Sequence, residues 1–176
     1  MTISMVKKAF CRFCGSLLGE KHVEGRLRLH CDECGLTNYQ NPVPASALVV
    51  VDSRGRLLLV KRNVEPKIGM WCLPGGFMEI GEQPEECALR ELAEETALKG
   101  RIEGLLGLTS SSNSDYGTVL LMGYLVREYS GEPAPGDDAQ EVAFFPPDDL
   151  PEIAFDSHKR FVRIYLAGYR IEKPVY

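Results

Sequence analysis

GFMEIGEQPEECALRELAEETAL, residues 76–98, decides how the rest of this chain is read. Pro84 suits the first turn of a helix, where its missing N–H removes no intrahelical bond. From there to about Ala97 the pattern predicts a helix. At 100° per residue, Glu91, Glu94 and Glu95 fall within one arc of about 100°. Ala88, Leu89, Leu92 and Thr96 occupy the adjoining arc and are expected to face a core. Glu85, Glu86 and Ala93 are expected to face water. Three carboxylates beside an apolar stripe repel one another unless a cation neutralises them. Hard divalent ions, which take oxygen ligands, are one solution; the other reading is a solvated acidic face, common on helices. Leu73-Pro74-Gly75-Gly76 precedes the run, a turn that brings backbone close to whatever the glutamates bind.

Working outward, ASALVVVD (45–52) is an apolar, β-branched run that predicts a buried strand. Ser53, Arg54 and Gly55 read as a hairpin turn, and RLLLVKR (56–62) as the returning strand. Further strands are predicted at 102–110, 116–127 and 140–145. A last helix is predicted from about Asp156 to Tyr169, capped by Asp156 or Ser157. It would carry Phe161, Val162, Tyr165, Leu166 and Tyr169 on one apolar face. Strands and helices mix without regular βαβ alternation, which predicts a mixed α/β fold.

The chain has 176 residues and a formal net charge of −5. That length suffices for one domain and a small appendage. An acidic chain does not draw in nucleic-acid phosphates by its overall field, so nucleic acid is disfavoured as a partner. An anionic small-molecule substrate would need local cations as a bridge, which again points to divalent metals. No apolar stretch approaches the roughly 18 residues that span a bilayer, so no membrane partner is expected. MTISMVKKAF, the first ten residues, lacks the apolar core of a secretory signal, and a cytoplasmic location is the expectation.

A break is predicted at TNYQNPVP (37–44), where Asn and two prolines favour an extended linker. The expected domains are a zinc ribbon at 1–40 and a catalytic domain at 41–176. The ribbon rests on Cys11-Arg-Phe-Cys14-Gly15 and Cys31-Asp-Glu-Cys34-Gly35, two C-x2-C-G knuckles separated by sixteen residues. Four thiolates at that spacing suit tetrahedral Zn²⁺. Disulfides and a redox-active C-x-x-C are the alternatives; a cytoplasmic protein disfavours the first, and two matched knuckles exceed what the second needs. His22 and His30 read as surface residues beside a closed site. Lys7, Lys8, Arg12, Lys21, Arg26 and Arg28 give the segment only a mild positive excess, which favours scaffolding or dimerisation over nucleic-acid binding. Cys72, Cys87 and Trp71 read as core. Arg62, after an apolar strand, is either a phosphate contact or a surface ion pair.

Gly76, five residues, Glu82, seven residues, then Arg90-Glu91-Leu92-Ala93-Glu94-Glu95 and Thr96-Ala97-Leu98 resembles the Nudix box. The box is G-x5-E-x7-R-E-U-x-E-E-x-G-U, with U aliphatic. Ala97 stands where the family has Gly, a left-handed position where Ala costs on the order of 1 kcal/mol. The resemblance implies a Nudix α/β/α sandwich with a small N-terminal zinc ribbon. It implies Mg²⁺ or Mn²⁺ held by Glu91, Glu95 and the Gly75 carbonyl, with Glu94 and Glu141 as further ligands or as the base that takes a proton from the attacking water. Arg90 would hold the glutamates by a salt bridge, and Glu82 would support that network. The reaction implied is displacement at phosphorus in a pyrophosphate.

Among ribbon-bearing members, the NADH pyrophosphatases carry S-Q-P-W-P-F-P after the box. Here the region runs Leu108-Thr109-Ser110-Ser111-Ser112-Asn113-Ser114, which points away from NADH as the preferred substrate. Tyr39-Gln40-Asn41-Pro42, Lys61-Arg62-Asn63, Trp71, Leu73-Pro74 and Phe155-Asp156-Ser157 resemble the plant plastid FAD pyrophosphatase and its bacterial relatives. That likeness implies FAD, ADP-ribose or a similar dinucleotide as substrate, AMP plus a phosphorylated product, and a homodimer. The competing reading is a catalytically inactive nucleotide-sensing or nucleic-acid-binding module. The intact Glu82, Glu91, Glu94 and Glu95 argue against it.

Overall fold

In the computed structural model, which describes residues 9–113, 117–136 and 138–168, the chain divides into two units between Asn41 and Pro42. In the first, β1 (Gly19–Val23), β2 (Arg26–Cys31) and β3 (Leu36–Asn38) form an antiparallel sheet in that order. Its buried residues among those described are Cys11, His30 and Cys31, while Phe10, Phe13, Leu17, Leu27, Leu36 and Tyr39 are exposed. Among its described residues the unit has no apolar core of its own, and small modules of this kind need a staple. His30, expected on the surface, is buried because its Nδ1 meets the Thr37 hydroxyl across the β2–β3 pair at 3.2 Å. Lys7 and Lys8 lie outside the described residues.

The second unit continues with β4 (Val43–Val50), β5 (Leu57–Arg62), β6 (Trp71–Cys72), β7 (Gly75–Phe77) and α1 (Pro84–Thr96). It closes with β8 (Lys99–Asn113), β9 (Gly117–Ser130), β10 (Ala139–Phe145) and α2 (Asp156–Leu166). One sheet has the order β7-β4-β9-β8, with β4 and β9 parallel and the other pairs antiparallel; β10-β5-β6 form another. Every residue of β4 from Ala45 to Val50 is buried, which is why the run reads as continuously apolar. Its pleat sends Ala45, Ala47 and Val49 into a core shared with Phe161 and Val162 of α2. Leu48 and Val50 enter another core, shared with Ala88 and Leu92 of α1. The helices thus cover the two faces of the sheet, the α/β/α arrangement.

α1 runs as its pattern predicts. Gln83 N–H donates to the Glu86 carboxylate at 2.9 Å at its start, and Ala97 ends it in the left-handed region at φ 59°. Leu89 is only half-buried, and Cys87 takes its place among the buried residues. α2 is preceded by Phe155 at the N-cap with no side-chain cap, so Asp156 and Ser157 lie inside the helix instead of capping it. Leu166 is exposed, since on the helical wheel it stands about 140° from Phe161. Tyr169 lies outside the described residues. β8 runs past both of its predicted ends and β9 past its C-terminal one because each supplies the other's hydrogen bonds, 99–101 with 128–130 and 111–113 with 117–119.

Gly123 faces the α2 side, where a Cβ would stand 2.5 Å from the Phe161 ring. Gly123→Ala is expected to lower stability by roughly 1–3 kcal/mol by overpacking. Ala97→Gly is expected to raise it by on the order of 1 kcal/mol by relieving the left-handed cap. Urea midpoints of the two variants check both signs.

Candidate active site

α1 presents its carboxylates to backbone. β7 lies against the arc that holds them, which is why Cys87, in that same arc, is fully buried with its Sγ 3.7 Å from the Gly76 carbonyl. Gly75 N–H donates to Glu95 Oε2 at 2.9 Å. A Cβ at Gly76 would stand 2.4 Å from Glu91 Oε1, and one at Gly75 would stand 2.2 Å from the Ser46 carbonyl. Gly75 also adopts φ 151°, a backbone state that side chains rarely allow. Two glycines are therefore the condition for this contact.

Arg90 ties the remaining carboxylates. It reaches Glu82 at 2.7 and 3.0 Å, Glu91 at 2.7 Å, Glu94 at 2.9 Å and the Phe77 carbonyl at 3.0 Å. These bonds, with the Glu79 N–H, hold the Glu82 carboxyl down to about 2. Burial pushes Glu91 up, against the pull of Arg90. Burial pushes Glu95 further, to about 8, although the Gly75 N–H opposes it. Among the described residues no ion pair reaches Glu95. Glu94 is largely exposed and bound to Arg90.

Glu91, Glu95 and Gly75 line a cavity of about 450 Å³ that also touches Arg62, Asp138 and His158. Asp138 had no signal in the sequence. It is delivered by a segment that satisfies the last carbonyls of α1, with Ala134 N–H on Thr96 at 3.0 Å and Gly136 N–H on Glu95 at 3.1 Å. Glu141 sits on β10 opposite Lys61, to which it pairs at 3.6 Å, and is not among the lining residues. Arg62 donates to the carbonyls of Pro66 at 2.8 Å and of Val64 and Glu65 at 3.2 Å, and stacks 5.1 Å over the Phe155 ring. It folds the 63–70 loop into the cavity wall while remaining part of the lining.

Glu91, Glu95 and Asp138 line one cavity and offer carboxylate oxygens, the donor type that hard divalent cations take. The Glu91 carboxylate occupies the space that a Cβ at Gly76 would fill. The residues present fit Mg²⁺ or Mn²⁺.

In the first unit, the sulfurs of Cys11, Cys14, Cys31 and Cys34 all lie within 4.8 Å of one another, and Cys14 and Cys31 are 3.5 Å apart. Sulfurs around a tetrahedral zinc stand about 3.8 Å apart, given Zn–S bonds of about 2.3 Å. Cys34 N–H points at Cys31 Sγ at 3.4 Å, as a knuckle turn requires. Hydrogen bonds from Ser16 bring the Cys14 thiol down to about 6. Cys72 and Cys87 are buried, and burial pushes Cys72 up to about 12.

The sequence profile of the NUDIX domain matches residues 41–164. An ADP-ribose pyrophosphatase of Methanocaldococcus jannaschii is 34% identical over 92% of this chain and 97% of its own. The NAD-capped RNA hydrolase NudC of Pseudomonas aeruginosa is 29% identical over 89% of this chain, which spans 56% of that protein's length. A NUDIX hydrolase from Nitrosomonas europaea superposes with a TM-score of 0.73 at 29% identity, covering 90% of this chain and 93% of that one. The NUDIX domain of Shewanella oneidensis NrtR complexed with ADP ribose gives 0.65 at 25%, covering 73% and 89%.

The Glu95 shift fixes a pH dependence. From the ordinary 4.5 up to about 8, the folded chain keeps a proton there that the unfolded chain has lost. Stability without magnesium or manganese therefore falls as pH rises through that window. Glu95→Gln should be more stable than wild type at pH 8.5 by more than about 1 kcal/mol, with a smaller difference near pH 5. Denaturant titrations at the two pH values test the sign.

Proposed function

The chain belongs to the NUDIX family of hydrolases, and from that membership we propose that it cleaves the pyrophosphate of a nucleoside diphosphate linked to another moiety. ADP-ribose is the first substrate to try, since the archaeal pyrophosphatase aligns over nearly its whole length. FAD and NADH belong to the same chemical class, and AMP plus a phosphorylated product would result. The carrying observation is the α1–β7 contact, which sets Glu91 and Glu95 on a cavity wall beside Gly75. Activity on capped RNA is a further member of the class, taken from a relative that this chain only partly spans.

In this reading Glu91, Glu95 and the Gly75 carbonyl hold Mg²⁺ or Mn²⁺, with Glu94 and Glu141 as further candidates. Bound there, such an ion neutralises phosphate charge and makes water more acidic. The chain's own part is orientation and proton uptake. Arg90 fixes Glu91 and Glu94, and Glu82 fixes Arg90. The proton acceptor is one of the carboxylates Glu94, Glu141 or Asp138, of which Asp138 lines the cavity. Arg62 keeps the loop wall in place and is the cationic side chain of the cavity lining. The cysteine cluster holds a structural Zn²⁺ in place of the missing core, and the protein is a homodimer.

Turnover of ADP-ribose, FAD and NADH should require Mg²⁺ or Mn²⁺. Glu95→Gln should lose it by at least about 100-fold with the fold intact. Unchanged rates in that variant would sink the ligand assignment. Binding of ADP-ribose without hydrolysis of any dinucleotide, with either metal, would turn the reading towards a sensing module. Elemental analysis should find about one zinc per chain; iron, or no metal, refutes the ribbon.

A further inference from the structure

His158, in the first turn of α2, takes no part in the scheme above. It is 8% exposed, and its Nδ1 accepts the Leu73 N–H at 3.1 Å. The ring proton of the neutral imidazole therefore sits on Nε2. Burial keeps the ring neutral, with its pKa down at about 3. Among the described residues Nε2 has no hydrogen-bond partner. It is not sealed in either, since the one buried, unsatisfied side-chain nitrogen or oxygen among them is Arg28 Nε. His158 lines the cavity, so the free N–H edge opens onto it.

The backbone beside it is equally unspent. No side chain caps α2, and the first intrahelical bond at this end runs from Lys159 N–H to the Phe155 carbonyl at 3.0 Å. The amides of Asp156, Ser157 and His158 are left over at the positive end of the helix dipole. The Asp156 carboxylate does not fill the gap, because it pairs with Lys159 at 3.1 Å and is exposed. Ser157 and Arg62 share the lining. This wall offers donors and positive potential, whereas the α1 wall offers carboxylates.

We propose that the His158 Nε2–H and the first-turn amides of α2 form a phosphate subsite that takes an anionic oxygen of the substrate's diphosphate. The assignment rests on the hydrolase reading for its ligand. A substrate with two linked phosphates answers both walls: one phosphate faces the carboxylates through the cations they hold, and the other accepts from His158. Diphosphates joined to a second group would be drawn in over neutral nucleosides by this pair of contacts.

Two variants separate the subsite from a merely structural histidine. His158→Asn keeps an acceptor for Leu73 N–H and removes the Nε2 donor. His158→Gln carries an amide N–H to the Nε2 position and gives up the Leu73 bond. The subsite predicts that the Asn variant raises KM for ADP-ribose by about 10- to 100-fold at nearly unchanged kcat and melting temperature. The Gln variant should keep KM near wild type and melt lower. A purely structural role predicts the reverse order, and wild-type KM in the Asn variant overturns the proposal. Calorimetric titration with ADP-ribose in the absence of magnesium and manganese reads the same contact without turnover. A wild type that binds but does not hydrolyse defeats the hydrolase reading; the subsite then stands if the Asn variant weakens binding and falls if it does not.

Discussion

The approach of α1 to β7 is the contact on which the rest of the site depends. Glu95 accepts from the Gly75 backbone, and Glu91 lies where a Cβ at Gly76 would have to be. Carboxylates brought this close to backbone lose water, and burial raises both. The cluster tolerates this because Arg90 answers Glu82, Glu91 and Glu94 together. Glu95 is the member left without an ion pair among the described residues, so it is the one with most to gain from a cation.

Distant segments serve the same wall. The stretch before β10 satisfies the final carbonyls of α1 and so brings Asp138 to the cavity. Arg62 folds the loop after β5 by gathering three of its carbonyls. His158 holds the Leu73 N–H, just before the glycine pair, and thereby ties α2 to the turn that α1 needs. Each tie fixes in place a segment that lines the cavity. The N-terminal unit solves a different problem. Among the described residues it exposes Phe10, Phe13, Leu17, Leu27 and Leu36 and buries Cys11 and Cys31, so two thiols of the four-cysteine cluster stand where a core would otherwise be.

The sequence by itself determined the α1 helix, the carboxylate arc, the arginine that serves it and the cysteine quartet. Those features are local: helical period and short spacing decide them, and neither needs a partner segment to be legible. The continuous burial of β4 was legible for the same reason, because a strand covered on both faces has no polar positions. Only the tertiary structure decided that Cys87 is sealed by β7, that α2 starts uncapped, and that Glu141 pairs with Lys61 while Asp138 faces the cavity. The same holds for His158, whose buried acceptor and free donor depend on a backbone amide 85 residues away. Contacts of that range leave no period in the chain; they exist once the sheet has closed and its loops have found the carbonyls they satisfy.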